Sequence, residues 1–259
     1  NVHVSDLTVD RNRLSGDAVR IRYAHDVVLR DMEIRNGTSD GIDASDADGL
    51  LIDGLLIHHF LAGSFSNQAD AHGPALSETQ GATIRNTSIH HASGDSIQTA
   101  PDRDLSVSTD ILIEKSHFWT GPLDEDFNSS WLAGQRPGEN AIDTKVGIED
   151  WETSERMRLT VRDVVAHGWV ADGYINNRAV FNMKEKIDVT FDGVTVYDSE
   201  IGFRIRGTRG NANVTMKNVV MHDLDKAIRA EDDLSKLKIY HSTFGEELGQ
   251  VLQFAGGSG

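Results

Sequence analysis

The chain repeats itself, and the repeat decides what it can fold into. The first apolar position of each unit falls at Val2, Val27, Leu50, Ala82, Ile111, Leu159, Val189, Val214 and Leu237. Companion positions two residues on are Val4, Leu29, Ile52, Ile84, Ile113, Val161, Phe191, Met216 and Ile239. The spacings are 25, 23, 32, 29, 48, 30, 25 and 23 residues, so a period of 23–25 is broken by insertions in the middle of the chain. A second apolar run follows in each unit, near Val19, Ile42, Leu76, Ile97, Ile142, Val180, Phe203, Ile228 and Val251. Short runs that alternate with period two are strands, and no segment carries a sustained helical stripe.

Units of this length cannot bury an apolar face alone and must stack. Two or three strands per turn predict an all-β chain, a right-handed parallel β-helix (solenoid) of about nine coils. At ~4.8 Å per coil the rod is about 40 Å long. Leucine-rich repeats have a similar period, but their spaced leucine and asparagine pattern is missing. The reading is one domain over residues 1–254 with loop insertions concentrated in 58–157, and 255–259 as a linker or tail. Each buried aliphatic side chain contributes roughly 1.5–3 kcal/mol. That must suffice without disulfides, because the chain has no cysteine. Open solenoid ends expose strand edges, so the expectation is that loops, another domain or another chain cover them.

Charge narrows the partners. Twenty-five basic against 41 acidic residues give a net charge of −16, which argues against nucleic acid. No apolar run approaches the roughly 18 residues that span a bilayer, which leaves no membrane role, and no secretory leader is visible. There is no nucleophile elbow, phosphate loop or dinucleotide fingerprint.

Insertions in a solenoid become loops, and loops on one face build sites. The largest insertions are 58–73, 100–110, 120–139 and 146–157, which would wall a groove beside the middle coils. Alternation along the second run places Arg20, Asp43, Ser77, Gln98, Asp143, Phe181, Arg204, Arg229 and Leu252 in one outward column. The neighbouring column runs Arg22, Ser45, Thr79, Ala100, Lys145, Met183, Arg206 and Glu231. A basic strip on an acidic rod suits a polyanionic chain, and it equally suits ordinary charges pairing with neighbouring loops.

Within GENAIDTKVG (138–147), Asp143 and Lys145 point the same way, roughly 7 Å apart along a strand. A lysine beside a carboxylate or a cation can serve as a base, or the two can be a surface ion pair. In QADAHGPA (68–75), Asp70 and His72 could be an acid–base pair or metal ligands. Asp40, Asp43, Asp46 and Asp48 cluster as calcium ligands do, yet Asp17, Asp40, Asp95 and Asn140 sit at equivalent turns where Asx residues stabilise the backbone. A further column reads Asp10, Arg35, His58, His90, Trp119, His167, Tyr197 and His222, and a stack repeated in nearly every coil favours a structural role. Zinc needs a tight cluster with proper ligand spacing; the pairs His58-His59 and His90-His91, on adjacent coils, keep a metal open there.

The repeats VVLRDMEIRN, ATIRNTSIHHASGDSIQ and VTFDGVTVYDSEIGFRIRG resemble the pectate-lyase-like superfamily of right-handed β-helix proteins across all nine coils. That family includes polysaccharide lyases, polygalacturonase-like hydrolases, epimerases and non-catalytic rods, so the resemblance specifies fold better than activity. By role and position it implies a secreted or cell-surface enzyme that acts on an acidic, uronate-containing polysaccharide by β-elimination. Lys145 would be the base with Asp143, His72 and Arg204 assisting. Gln98, Arg206 and Asp70 would bind substrate, and calcium would sit among Asp143, Glu139 and Asp43. A hydrolase fits less well. TSDGID (38–43) and RIR (204–206) look like polygalacturonase motifs, but the paired aspartates read Asp95-Ser96. Asp40 and Asp95 also lie two coils apart, outside the roughly 5–10 Å such carboxylates need. The reading from a different class is a non-catalytic carbohydrate-binding or structural module.

Overall fold

The computed structural model describes residues 1–100, 108–145, 155–171, 175, 178–184, 186–207, 210–232, 234 and 236–256. Three nine-stranded sheets, each parallel throughout, run the length of the molecule, with no helix among the described residues. Sheet A collects the first strand of every coil, from Val2–Ser5 to Lys236–Tyr240. Sheet B runs from Thr8–Asp10 to Thr243–Phe244, and sheet C from Val19–His25 to Leu248–Ala255. Strand order in each sheet follows chain order, which makes a right-handed parallel β-helix of nine coils.

The inward ladder of sheet A is the predicted one. Val4 pairs with Leu29, then Ile52, Ile84, Ile113, Val161, Phe191, Met216 and Ile239 in unbroken register. Its members from Leu29 to Met216 are buried, and they join the inward residues of sheets B and C in one continuous core. Phe181, Phe191 and Phe203 meet there with ring centroids about 5 Å apart.

The corner between sheets A and B explains much of the Asp, Asn and Gly content. Every coil turns it on one left-handed residue. Asp6, Asp31, Asn86, Lys115, Asp163, Asn218 and His241 take φ between 46° and 58°, and Gly54 and Gly193 complete the set. Asx residues and glycine enter this region at the lowest cost. At Gly193 a Cβ would lie 2.6 Å from Asp163 Oδ1 of the preceding coil, so a larger residue there would have to displace that side chain.

Sheet C departs from the predicted columns. Its register stacks Arg20, Asp43, Ala75, Gln98, Asp143, Asn182, Arg204, Arg229 and Gln253. Ala75, Asn182 and Gln253 therefore replace Ser77, Phe181 and Leu252, while Ser77 stacks with Ser45 and Ala100 in the next column. In strand Ala179–Met183 all five residues are buried, so alternation gives no phase and the reading slipped by one. Ala255, read as tail, belongs to the last strand.

Two insertions fold onto each other. Strands Ala62–Ser64 and Asn67–Ala69 form a small antiparallel hairpin. Leu61 packs beside it with Leu123, Phe127 and Trp131 in a second apolar cluster separate from the main core. The Trp131 indole donates to the Ala62 carbonyl at 3.2 Å, and Gly138 N–H donates to Gln68 Oε1 at 3.1 Å. Much of the insertions 100–110 and 146–157 lies outside the described residues.

Because Ile84 sits fully buried between Ile52 and Ile113, Ile84→Ala is expected to cost about 2–5 kcal/mol and Ile84→Val about 0.5–1.5 kcal/mol. Urea titration of the three proteins measures both, and equal midpoints would show that this ladder is loosely packed.

Candidate functional site

A turn ladder between sheets B and C underlies the site. Asp17 Oδ1 accepts the Asp40 N–H at 3.3 Å, Asp40 Oδ1 accepts the His72 N–H at 2.8 Å, and His72 Nδ1 accepts the Asp95 N–H at 2.9 Å. Asn140 Nδ2 then donates to Asp95 Oδ1 at 2.7 Å. His72 thus fills the third-coil place in the ladder of Asx turns that the sequence suggested. Its Nδ1 is committed to the backbone, so the neutral ring carries its proton on Nε2. Burial lowers its pKa, and its placement is that of a positioning group.

On the outward face beside this ladder the middle coils gather their titratable groups. Asp95 is wholly buried and receives Gln98 Nε2 at 3.0 Å as well as Asn140. Burial pushes its carboxyl up to about 6 despite both amides. Asp143, also buried, is pushed up to about 7, first by burial and then by the Asp95 carboxylate. Lys184 Nζ donates to Asp143 Oδ2 at 2.7 Å. Lys145 Nζ lies 3.8 Å from that oxygen and 3.9 Å from Asp70 Oδ2 on the hairpin loop. The two ammonium groups are therefore within about 6.5 Å of each other. Asp143 Oδ1 and Asn182 Oδ1, from adjacent coils, are buried without a hydrogen-bond partner among the described residues. Glu139 is half-buried at the foot of the second insertion, its carboxyl pushed up by burial and by Asp70.

Lys145, Asp143, Gln98, His72, Asp70 and Glu139 are thus brought together. Lys184 and Asn182 belong with them and were missed, because the phase error in strand Ala179–Met183 hid both. The signal that finds them is the Ile142–Phe181 pairing, which follows from keeping the inward aromatic in the core ladder.

Arg204 and Arg206 are not part of the cluster. Arg204 stands two coils beyond Asp143, and Glu231 binds it at 3.0 and 3.1 Å. Arg206 lies against Glu231 and Asp232 at 3.8 and 3.4 Å. At the other end, Arg20 and Arg22 are held by Asp17 and Asp43. The basic strip is a series of ion pairs, with Lys145 in the loosest of its contacts.

Of the residues expected to hold calcium, Asp43 stands apart from Asp143 and Glu139. Asp43 is three coil steps from Asp143 through Ala75 and Gln98, about 14 Å at ~4.8 Å per coil, whereas calcium ligands sit ~2.4 Å from the ion. Asp43 is paired with Arg22, and two lysines already face Asp143.

No family model matches the chain, and no curated protein matches its sequence. Solved structures do match. An alginate lyase from Paenibacillus sp. str. FPU-7 aligns with a TM-score of 0.64 at 14% identity, covering 95% of this chain and 78% of that one. A pectate lyase from Paenibacillus sp. 0602 aligns at 0.60 and 11% identity over 87% of this chain. The chain spans only 63% of that lyase. PfbA, a surface adhesin of Streptococcus pneumoniae, aligns at 0.56 and 10% identity, with 96% and 78% covered. At these identities the likeness is one of architecture. The chain has the right-handed parallel β-helix fold of these proteins.

The raised carboxyls make stability depend on pH. In the unfolded chain Asp95 and Asp143 titrate near 3.8, and in the fold near 6 and 7. The folded state therefore binds the protons more tightly. The contribution is fully present below about pH 4 and is lost as pH rises through 6 and 7. Asp95→Asn is expected to flatten the fall in Tm between pH 5 and 7.5, which calorimetry across that range measures. An unchanged slope would mean that Asp95 is ionised throughout.

Proposed function

We propose that the chain cleaves an acidic, uronate-containing polysaccharide by β-elimination, with Lys145 as the base. The observation that carries this is the convergence of Lys145, Lys184, Asp143 and Asp70 on the outward face of the middle coils, beside the two packed insertions.

Elimination from a uronate needs its carboxylate neutralised, so that the C5 proton becomes acidic, and a base within reach of that proton. The row Gln98, Asp143 and Asn182 supplies the first requirement. Two amides flank a carboxyl that is partly protonated at neutral pH, and Lys184 adds a positive charge. The Oδ1 atoms of Asp143 and Asn182, without a partner among the described residues, leave hydrogen-bonding capacity for a sugar. Lys145, one column away, supplies the second requirement as the base.

Nζ takes the C5 proton, and the C5–H electrons form the C4–C5 double bond. The C4–O bond breaks with its electrons on the glycosidic oxygen, and the new ammonium returns the proton to that oxygen. Asp70 orients Lys145 from the loop side, and His72 and Asp95 hold the floor. No cation is required, because Lys184 and the protonated carboxyl do the neutralising. Lyases among proteins of like fold support the substrate class. The adhesin of like fold supports a binding-only reading. An extracellular location would follow from a polysaccharide substrate.

With a panel of uronate polysaccharides, wild type is expected to generate the ultraviolet absorbance of an unsaturated uronate product, with no loss in EDTA. Lys145→Ala is expected to lower the rate by about 10²–10⁴-fold, the contribution of a general base. A rise that survives the substitution would move the base elsewhere. Binding without product on every polymer would make the chain a binding module.

A further inference from the structure

The outer face of sheet B carries a second group of chemistry-bearing side chains, unconnected with the Lys145 cluster on sheet C. His58 stacks on His90 at 4.9 Å, and the stack continues through Trp119, His167, Tyr197 and His222. Rings stacked face to face along the rod offer only their edges to solvent, so the column is no platform for a sugar ring. In two adjacent coils the next residue is also histidine. His59 and His91 take left-handed φ of 58° and 52°, which turns each imidazole back toward its neighbour. The result is a two-by-two array. His58 and His59 meet Nδ1 to Nδ1 at 2.6 Å, His90 and His91 do the same, and His59 stacks on His91 at 4.9 Å.

Each 2.6 Å contact is a hydrogen bond in which one ring's Nδ1–H donates to the lone pair of the other. His58 has a fixed tautomer: its Nε2–H donates to the Glu33 carboxylate at 3.1 Å, so its Nδ1 presents a lone pair toward His59. An imidazole anchored by a carboxylate at one nitrogen, with the lone pair of the other turned toward further imidazoles, is the arrangement of a metal-ligating histidine. Ligand atoms of His58, His59 and His90 lie within 4.8 Å of one another. Tetrahedral ligation at ~2.0–2.1 Å puts nitrogens about 3.3 Å apart, a change that asks for tilting of rings and not for movement of coils. The array opens on a cleft of about 190 Å³ lined by Arg13, Arg35, Asn36, Glu125 and Phe127, which gives an ion a way in.

We propose that His58, His59 and His90 bind a divalent transition-metal ion of the zinc, nickel or copper class. All-imidazole donors suit these ions and disfavour calcium and magnesium. Glu33, which also accepts from Arg35 at 2.9 Å, positions His58.

The test is calorimetric titration of zinc chloride into tag-free, chelator-stripped protein, with X-ray absorption on the zinc-loaded wild type. One ion per chain at micromolar affinity or tighter is expected, with three imidazole nitrogens around it. His58→Gln and His90→Gln are expected to weaken binding more than tenfold, and Glu33→Gln about tenfold, the effect of losing an outer-shell partner. Lys145→Ala is expected to change nothing. Absence of binding, binding that survives both histidine substitutions, or an absorption spectrum without imidazole ligands would overturn the proposal. The wild-type spectrum decides even if a histidine variant does not fold.

Discussion

Parallel, in-register stacking of one coil on the next is the constraint from which the rest follows. Each residue lies over its equivalent at ~4.8 Å, so a side chain's principal neighbours are the same position in the coils before and after. Apolar ladders gain from this, because like packs on like. Charged positions lose, because like repels like. The sequence answers by alternating sign along the outward columns. Asp53 pairs with Arg85, Asp10 with Arg35, Glu114 with Arg162 and Asp192 with Lys217, each across one coil step. Exposed pairs contribute only about 0–1 kcal/mol each. Their larger effect is to remove the repulsion that would otherwise accumulate along a rod of net charge −16.

The same stacking dictates how the corners are made. A turn residue that works in one coil is repeated in the next, so left-handed Asp, Asn and Gly recur at the corner between sheets A and B. Side chains in the other turn reach across to the following coil's backbone, as in the series Asp17, Asp40, His72 and Asp95. Burying such a ladder raises Asp95 toward neutrality, and Asp95 in turn raises Asp143. The site's unusual carboxyls are thus produced by the architecture beneath them.

Sequence reasoning succeeded where the period was intact. The sheet A ladder was legible residue by residue, because Val4, Leu29, Ile52 and their successors alternate cleanly with polar neighbours. So was the ring column from Arg35 to Tyr197. It failed in sheet C at Ala179–Met183, where both faces are buried and period two carries no phase. That single slip hid Asn182 and Lys184. The packing of Leu61, Leu123, Phe127 and Trp131 was illegible for a different reason. It joins two insertions far apart in the chain, neither of which repeats. Ion pairing of Arg204 and Arg206 was likewise invisible, since it depends on Glu231 standing beside three arginines at once.

Glu231 and Asp143 make an instructive contrast, because each is a carboxylate set among cations on sheet C. Burial works against ionisation of Glu231, yet Arg204, Arg229 and Arg206 outweigh it, and its pKa is lowered. That group is a satisfied ion cluster with a structural explanation. Asp143 has two lysines, but deeper burial and the neighbouring Asp95 carboxylate outweigh them, and its pKa is raised. One of its oxygens has no partner among the described residues, and Lys145 stays nearly 4 Å from both of its acids. Chains otherwise built for local agreement depart from it where function demands. On this sheet the departure falls at Asp143 and Lys145, not at the better-paired arginines.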